Sequence, residues 1–143
     1  MNLFGVLDIS ASALLAERQR AEVVTSNLAN AESAGANPAQ VYRRQEVVFG
    51  AQPMPFSDAL AAAGNTPAEG VAVEAVVKDN TPLVRRYEPG NANADAQGYV
   101  TYPNVNPAQE ITDLMEAVRS YQLNISATEA TKAMIQQSLT LLQ

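Results

Sequence analysis

The hydrophobic pattern of the chain is most regular over residues 106–142. Apolar or bulky residues recur there at steps of three and four, a spacing that places them on one stripe of an α-helix. Lys132 interrupts this first stripe, and Thr128 does so mildly. The first stripe consists of Ile111, Leu114, Val118, Tyr121, Ile125, Thr128, Ile135, Leu139 and Leu142.

The start of this helix is marked by its capping residues. Asn106 is a favourable N-cap, Pro107 suits the first helical position, and Gln109 can complete a capping box. No Gly or Pro follows Pro107. The pattern therefore predicts one uninterrupted helix, roughly 50 Å long.

A second apolar stripe lies nearly opposite the first on the same helix, because each residue turns the helix by about 100°. A helix that is apolar on two faces needs neighbours on two sides. We expect one neighbour to come from this chain and the other from a different subunit. The second stripe consists of Leu123, Ala127, Ala130, Met134 and Leu141.

Residues 8–30 predict another helix, because they contain neither Gly nor Pro. Asp8 or Ser10 can cap its start, and the apolar residues 1–7 can extend it. Two long helices at the two ends of a chain most simply pair as an antiparallel coiled coil. The apolar stripe of this helix consists of Leu7, Ala11, Leu14, Ala21, Val24 and Leu28.

Two asparagines near the end of the first helix have two interpretations. Asn30 is typical of a residue that ends a helix near its C-cap. Alternatively Asn27 and Asn30, three residues apart and on one side, cross-link packed helices through amide hydrogen bonds.

The segment between the helices predicts a small β part. Residues 41–49 are rich in β-forming side chains, and residues 71–77 and 83–87 predict a β-hairpin around a turn at 79–82. Residues 99–102 form a last short extended piece. The adjacent Arg43 and Arg44 indicate a solvated face more than a binding patch.

The expected fold is mostly α with a small β part. Long N- and C-terminal helices pair as an antiparallel coiled coil, and a short β-hairpin region and a mobile loop lie between them. Residues 1–35 and 106–143 would form a terminal helical domain, and residues 36–105 a β-rich middle region. The Pro- and Gly-containing residues 50–70 predict the flexible surface loop.

Charge and hydropathy exclude several classes of partner. The 15 acidic residues outnumber the 9 basic ones, for a net charge of −6, which argues against a nucleic-acid or anionic-membrane surface. No apolar run is long enough to span a membrane. The N-terminus lacks the basic and apolar regions of a cleavable secretory signal.

The sequence offers no catalytic, cofactor or metal site. It contains no Cys and no His, so thiolate chemistry and the commonest general base and metal ligand are missing. Neither Lys78 nor Lys132 stands three residues after a Ser. The carboxylates Glu110, Asp113, Glu116 and Glu129 indicate a solvated or salt-bridged helix face. The alternating Asn91, Asn93 and Asp95 resemble the opening of a calcium loop, but Ala96 and Tyr102 stand where that loop needs Gly and Glu.

A set of short blocks follows in a characteristic order along most of the chain. They are SNLANA at 26–31, YRRQ at 42–45, VVF at 47–49, GVAV at 70–73, YEPG at 87–90, ADAQGYV at 94–100, YPNVN at 102–106 and RSYQLN at 119–124. In this order the blocks resemble those of the rod and hook axial proteins of the bacterial flagellum. The YPNVN block and the short chain resemble the proximal rod proteins in particular.

This resemblance implies a structural subunit of the flagellar basal-body rod, a tube that crosses the cell envelope. It implies that the terminal helices form the inner tube, that the β-rich middle packs outside, and that the subunit is exported by the flagellar type III apparatus without a cleavable signal peptide. The implied location is the periplasmic part of the basal body. The implied partners are other rod proteins, copies of the same chain, and basal-body ring and export-gate components.

The alternatives to a polymerising rod subunit are a secreted helical adaptor or export substrate that does not polymerise, and a small periplasmic enzyme. No nucleic acid, membrane insertion or cofactor is expected. The residues expected to serve helix packing or assembly are Leu7, Leu14, Asn27, Leu28, Asn30, Ile111, Leu114, Val118, Tyr121, Leu123, Asn124, Ile125, Met134, Ile135, Leu139 and Leu142.

Overall fold

The computed structural model describes residues 3–35, 37–52 and 70–141. These residues are mostly helical with a small β part, as the sequence predicts. The elements, in chain order, are α1 (Leu3–Ala29), β1 (Gln45–Ala51), β2 (Val71–Lys78), β3 (Val84–Tyr87), β4 (Tyr99–Tyr102) and α2 (Pro107–Thr140).

The two helices begin differently from each other. Helix α2 begins as predicted: the Asn106 side-chain oxygen accepts a hydrogen bond from the Ala108 N–H at 3.1 Å, which satisfies one free donor of the first turn. Helix α1 begins at Leu3, so Asp8 and Ser10 lie within the helix and do not cap its start. The apolar residues that precede Asp8 extend the helix.

The strands form two separate two-stranded sheets, β1–β2 and β3–β4. In the second sheet Val84 lies opposite Tyr102 and Tyr87 opposite Tyr99, an antiparallel register. In the first sheet the Gln52 N–H donates to the Gly70 carbonyl at one end, and the Asp79 N–H donates to the Arg44 carbonyl at the other, both at 2.8 Å. The β1–β2 strands are therefore also antiparallel.

The predicted hairpin between residues 71–77 and 83–87 is wrong, because β2 pairs with β1 and β3 with β4. The turn itself is present: the Asp79 carboxylate accepts the Thr81 N–H at 2.8 Å. However, the Asp79 N–H is already bonded to the Arg44 carbonyl, directly before β1, and Pro82 has no N–H to donate to a continuing ladder. The predicted strand at 41–49 forms later, at Gln45–Ala51, so residues 50–51 of the predicted loop are strand. The predicted loop residues 53–69 lie outside the described residues.

The connection between β3 and β4 is organised by Asp95, whose carboxylate accepts the N–H groups of Gln97 and Tyr99 at 2.9 and 2.8 Å. Gly98 has a φ of 82°, and a Cβ at that position would lie 2.9 Å from the Tyr87 ring. A residue without a side chain is therefore required there. The Asx-rich segment is a turn that closes a hairpin.

This hairpin should loosen in acid, because hydrogen bonds hold its carboxylates ionised. The backbone N–H of Tyr99 lowers the pKa of Asp95 below its ordinary value of 3.8. The Asn91 side chain lowers the pKa of Glu88 below 4.5. The stability that each group contributes is fully present above its ordinary pKa and is lost as the pH falls through the lower folded value. NMR titration should show Asp95 titrating below pH 3.8, with the Tyr99 amide signal shifting in parallel. Asp95→Asn should remove that transition, and an Asp95 pKa at or above 3.8 would contradict the assignment.

The chain forms two compact units, and both helices contribute to each of them. One unit comprises Met1–Gln19, Val48–Ala75 and Ala117–Gln143, and the other comprises Arg20–Val47 and Val76–Glu116. In the second unit the buried residues include Val24, Asn27, Val41, Val100 and Glu110. In the first unit they are small or polar, namely Ser10, Ala16, Ala117 and Thr131.

Candidate functional site

The buried seam of α2 consists mainly of small and polar residues. Glu110, Ala117 and Thr131 are 0%, 1% and 2% exposed and lie at multiples of seven residues from one another. Large apolar side chains are a minority of this seam, so the chain itself covers little of the apolar surface of α2. The partly buried residues of the same seam are Leu114, Asn124, Thr128 and Ile135.

The first apolar stripe is only partly covered: Leu114, Thr128 and Ile135 lie in the partly buried seam, and the others of its described residues are exposed. Ile111, Val118 and Leu139 are 48%, 45% and 58% exposed, and Tyr121 and Ile125 are each 37% exposed. The buried seam, which includes Glu110, is centred roughly half of one residue's 100° step around the helix from the centre of the predicted stripe. The neighbouring apolar residues are thereby left outside.

The second apolar stripe is exposed. Leu123, Met134 and Leu141 are 64%, 50% and 82% exposed. Together with the uncovered part of the first stripe, they give α2 two outward apolar faces, roughly 130° apart around the helix. We call Ile111, Met115, Val118 and Ile125 face one, and Leu123, Ala127, Ala130, Met134 and Leu141 face two. Exposed apolar surface of this kind makes the two faces candidates for an interaction site.

The residues in and directly after α1 that are expected to serve packing or assembly, apart from Asn27, are partly buried or bond to that helix. Leu7, Leu14 and Leu28 of α1 are partly buried. Asn30 ends its own helix: its side-chain amide donates to the Ser26 carbonyl at 2.8 Å, and its backbone N–H donates to the same carbonyl at 3.1 Å. Leu142 lies outside the described residues.

Asn27 lies at a buried polar junction, and its amide is fully hydrogen-bonded. Its nitrogen donates to the Gln45 carbonyl at 2.8 Å and to the Glu110 carboxylate at 2.9 Å. Its oxygen accepts the Gln45 N–H at 2.9 Å and the Tyr42 hydroxyl at 2.8 Å. An amide has two donors and two acceptor positions, so none is left unused. Asn27 thus joins α1 to α2, as the second interpretation requires, and also to β1.

Arg44 supplies the positive charge of the junction. Its guanidinium donates to Glu110 at 2.5 Å, to Asp113 at 3.2 Å and to Glu46. Burial by itself would lower the pKa of Arg44, but the hydrogen bond and charge of Glu110 outweigh it and raise that pKa. The prediction of a solvated arginine pair is therefore wrong for Arg44, whose side chain is 14% exposed.

Sequence reasoning also missed the burial of Glu110, which it placed on a solvated or salt-bridged helix face. Its side chain is 0% exposed, although it is paired with Arg44. One signal in the sequence was available: Glu110 precedes Ala117, Asn124 and Thr131 by multiples of seven, so it shares their side of the helix.

A shallow cleft of about 420 Å³ lies beside the β3–β4 hairpin. Its charged groups are already occupied: Arg85 donates to Asp95 at 2.6 Å and stacks on the Tyr99 ring, and Arg43 donates to the carbonyls of Asp79 and Thr81. In the described part of the chain, no three acidic side chains are grouped to hold a metal ion. The cleft therefore offers no catalytic arrangement.

No helix among residues 3–35, 37–52 and 70–141 has the length and apolar character needed to cross a membrane.

Comparison with known proteins points to one family. Residues 7–36 match the family described as flagella basal body rod protein, and residues 96–141 match the C-terminal family of the flagellar basal body rod FlgEFG proteins. The chain is 43% identical over 141 residues to the flagellar basal-body rod protein FlgC of Escherichia coli O157:H7, an alignment that covers 99% of this chain and 98% of the relative. It is 41% identical to FlgC of Salmonella typhimurium over the same shares of both chains. It is 38% identical to FlgC of Bacillus subtilis over 97% of each chain.

Proposed function

Because this chain belongs to the FlgC family of flagellar basal-body rod proteins, we propose that it polymerises with copies of itself and with other rod proteins into a tubular shaft. It is a structural subunit of the flagellar basal-body rod and not an enzyme. The observation that carries the polymerisation proposal is the pair of exposed apolar faces on α2.

The two faces favour an extended assembly over a closed pair. Face one lies in the N-terminal half of α2 and face two extends through its C-terminal half, so the faces differ in direction and in height along the helix. Two unlike patches each require a different neighbour. Contacts of that heterologous kind repeat without self-pairing and generate rings or helical arrays.

The terminal helices would pair as an antiparallel coiled coil that forms the inner wall of the tube. Two contacts between them support that pairing. The Arg20 guanidinium lies 3.4 Å from the Glu116 carboxylate, and the Asn27 amide nitrogen lies 2.9 Å from the Glu110 carboxylate. The later residue of α1 therefore contacts the earlier residue of α2. This order is that of antiparallel segments. The β-rich residues would pack outside the tube.

The proposed location is the periplasmic part of the basal body, reached through the flagellar type III apparatus. Basal-body ring and export-gate components would be the neighbours at the base of the rod. The absence of Cys suits assembly in the oxidising periplasm, because no disulfide can form out of place.

Electron microscopy of basal bodies from a strain that lacks this chain tests the proposal. We expect rods to be absent and motility to be lost, with both restored by the wild-type chain. A wild-type chain carrying a peptide tag should then be recovered within salt-resistant purified basal bodies. Intact rods in the deletion strain would contradict the proposal and favour a secreted adaptor that does not polymerise.

A further inference from the structure

We propose that the junction of Asn27, Arg44 and Glu110 sets the register between α1 and α2, with Asn27 as the positioning residue. The inference concerns the fold of the single chain and does not depend on polymerisation. It rests on two observations, the complete hydrogen bonding of the junction and the repetitive character of the seam that surrounds it.

The seam by itself specifies register weakly. Small residues recur every seven positions along α2, with Ala117 in the position equivalent to Glu110, and apolar residues recur every seven positions along α1 at Leu7, Leu14, Ala21 and Leu28. A slip of seven residues would therefore bring similar residues together again. A single buried polar residue is the device that fixes register in such repeating helix pairs.

Chain connectivity does not forbid the slip. Seven residues correspond to about 10.5 Å along a helix. The connection from α1 to β1, residues 30–44, is long enough to absorb that distance, because an extended residue spans about 3.3 Å. In the opposite direction Pro103 would take the place of Glu110, before α2 begins at Pro107, so only one slipped register is available.

The slipped register would dismantle the junction. If α1 moves while β1 and α2 stay in place, Ala117 would face Asn27, which would lose its hydrogen bonds to the Glu110 carboxylate and to Gln45. Buried polar groups without partners are unfavourable, so only the native register satisfies the Asn27 amide and gives the Glu110 carboxylate both partners. In addition, Asn27 binds both the N–H and the carbonyl of Gln45, so it ties the first residue of β1 to the same register.

Cross-linking tests this proposal directly, because the chain contains no Cys. One full-length variant carries cysteines at Arg20 and Glu116, which are in contact in the native register. A second carries them at Arg20 and Leu123, which would meet after the slip. A short bis-maleimide reports each pair. We expect the yield of the native cross-link to exceed that of the slipped one by at least about tenfold, because a small free-energy difference between the two registers gives a population ratio of that size.

Two substitutions should change that ratio. Asn27→Leu should raise the slipped fraction by about tenfold or more. Val24→Ala, a buried apolar truncation three residues earlier on α1, should destabilise the chain without changing the ratio. If Asn27→Leu changes the ratio of the two cross-links no more than Val24→Ala does, Asn27 has only an ordinary structural role and the proposal is wrong.

Moving the charge gives an independent test, which does not require Asn27→Leu to fold. In the double variant Glu110→Ala with Ala117→Glu, the carboxylate is displaced by seven residues. The slipped cross-link should then rise by about tenfold or more over that of the wild-type junction, because only the slipped register brings the displaced carboxylate to the Asn27 amide. Retention of the native ratio, or loss of any preferred cross-link, would overturn the proposal.

Discussion

Leu123→Asp should abolish rod assembly and leave the fold of the chain intact. Leu123 is 64% exposed on face two of α2, so a carboxylate there remains hydrated in the single chain. In an assembled tube the same carboxylate would be buried against a neighbour without a partner, at a cost of several kcal/mol. A loss of about 3 kcal/mol per contact lowers each association constant by more than a hundredfold.

The measurement compares variants expressed in the deletion strain. Motility and the number of rods in electron micrographs report assembly, and thermal unfolding of the purified chain reports stability. Ser126→Asp is the matched control, because it adds the same charge to an exposed position between the two faces. Ile125→Asp, at the 37% exposed margin of face one, should reduce both assembly and stability. Normal rods with Leu123→Asp would show that face two contacts no neighbour.

Arg44→Met should destabilise the chain by about 3–5 kcal/mol, because it removes the counter-ion of a buried carboxylate. The Glu110 side chain is 0% exposed, and of its two described side-chain partners only Asn27 would remain. Urea unfolding of the purified chain measures the loss. Arg43→Met is the matched control at the adjacent residue, and it should cost less than about 1 kcal/mol, because the hydrogen bonds of its guanidinium in the described part of the chain go to the backbone carbonyls of Asp79 and Thr81, at 3.4 and 3.3 Å.

The double variant Arg44→Met with Glu110→Leu separates a buried charge from general packing. Replacing both members of a buried ion pair with apolar residues is often neutral or stabilising. We therefore expect the double variant to recover most of the stability that Arg44→Met loses. Equal destabilisation by Arg44→Met and Arg43→Met would mean that solvent reaches Glu110 and that the junction is not a buried pair.

The sequence alone established the helices and the family resemblance. The long segments without Gly or Pro, the cap at Asn106 and the short-range periodicity all depend on residues close together in the chain. Such local signals do not need tertiary contacts. The order of the sequence blocks likewise identified the flagellar rod family, to which the comparisons assign the chain.

Strand pairing and the orientation of α2 depended on the tertiary structure. The turn at 79–82 was predicted, yet its strands pair with β1 and β4, because the free N–H and carbonyl groups of a strand do not identify their partner. Periodicity placed the apolar stripe of α2 but could not identify the side that the chain covers.

Only the three-dimensional contacts brought Asn27, Arg44 and Glu110 together, from positions separated by up to 83 residues. A glutamate in a helix is ordinarily solvated, and the heptad spacing of Glu110 from Ala117 gives its side of the helix but not the partners that allow a carboxylate to be buried there. The groups that bind the buried carboxylate are the guanidinium of Arg44, directly before β1, and the amide of Asn27 on α1. The sequence thus determined which segments are helical, and tertiary packing determined which faces of those helices remain exposed.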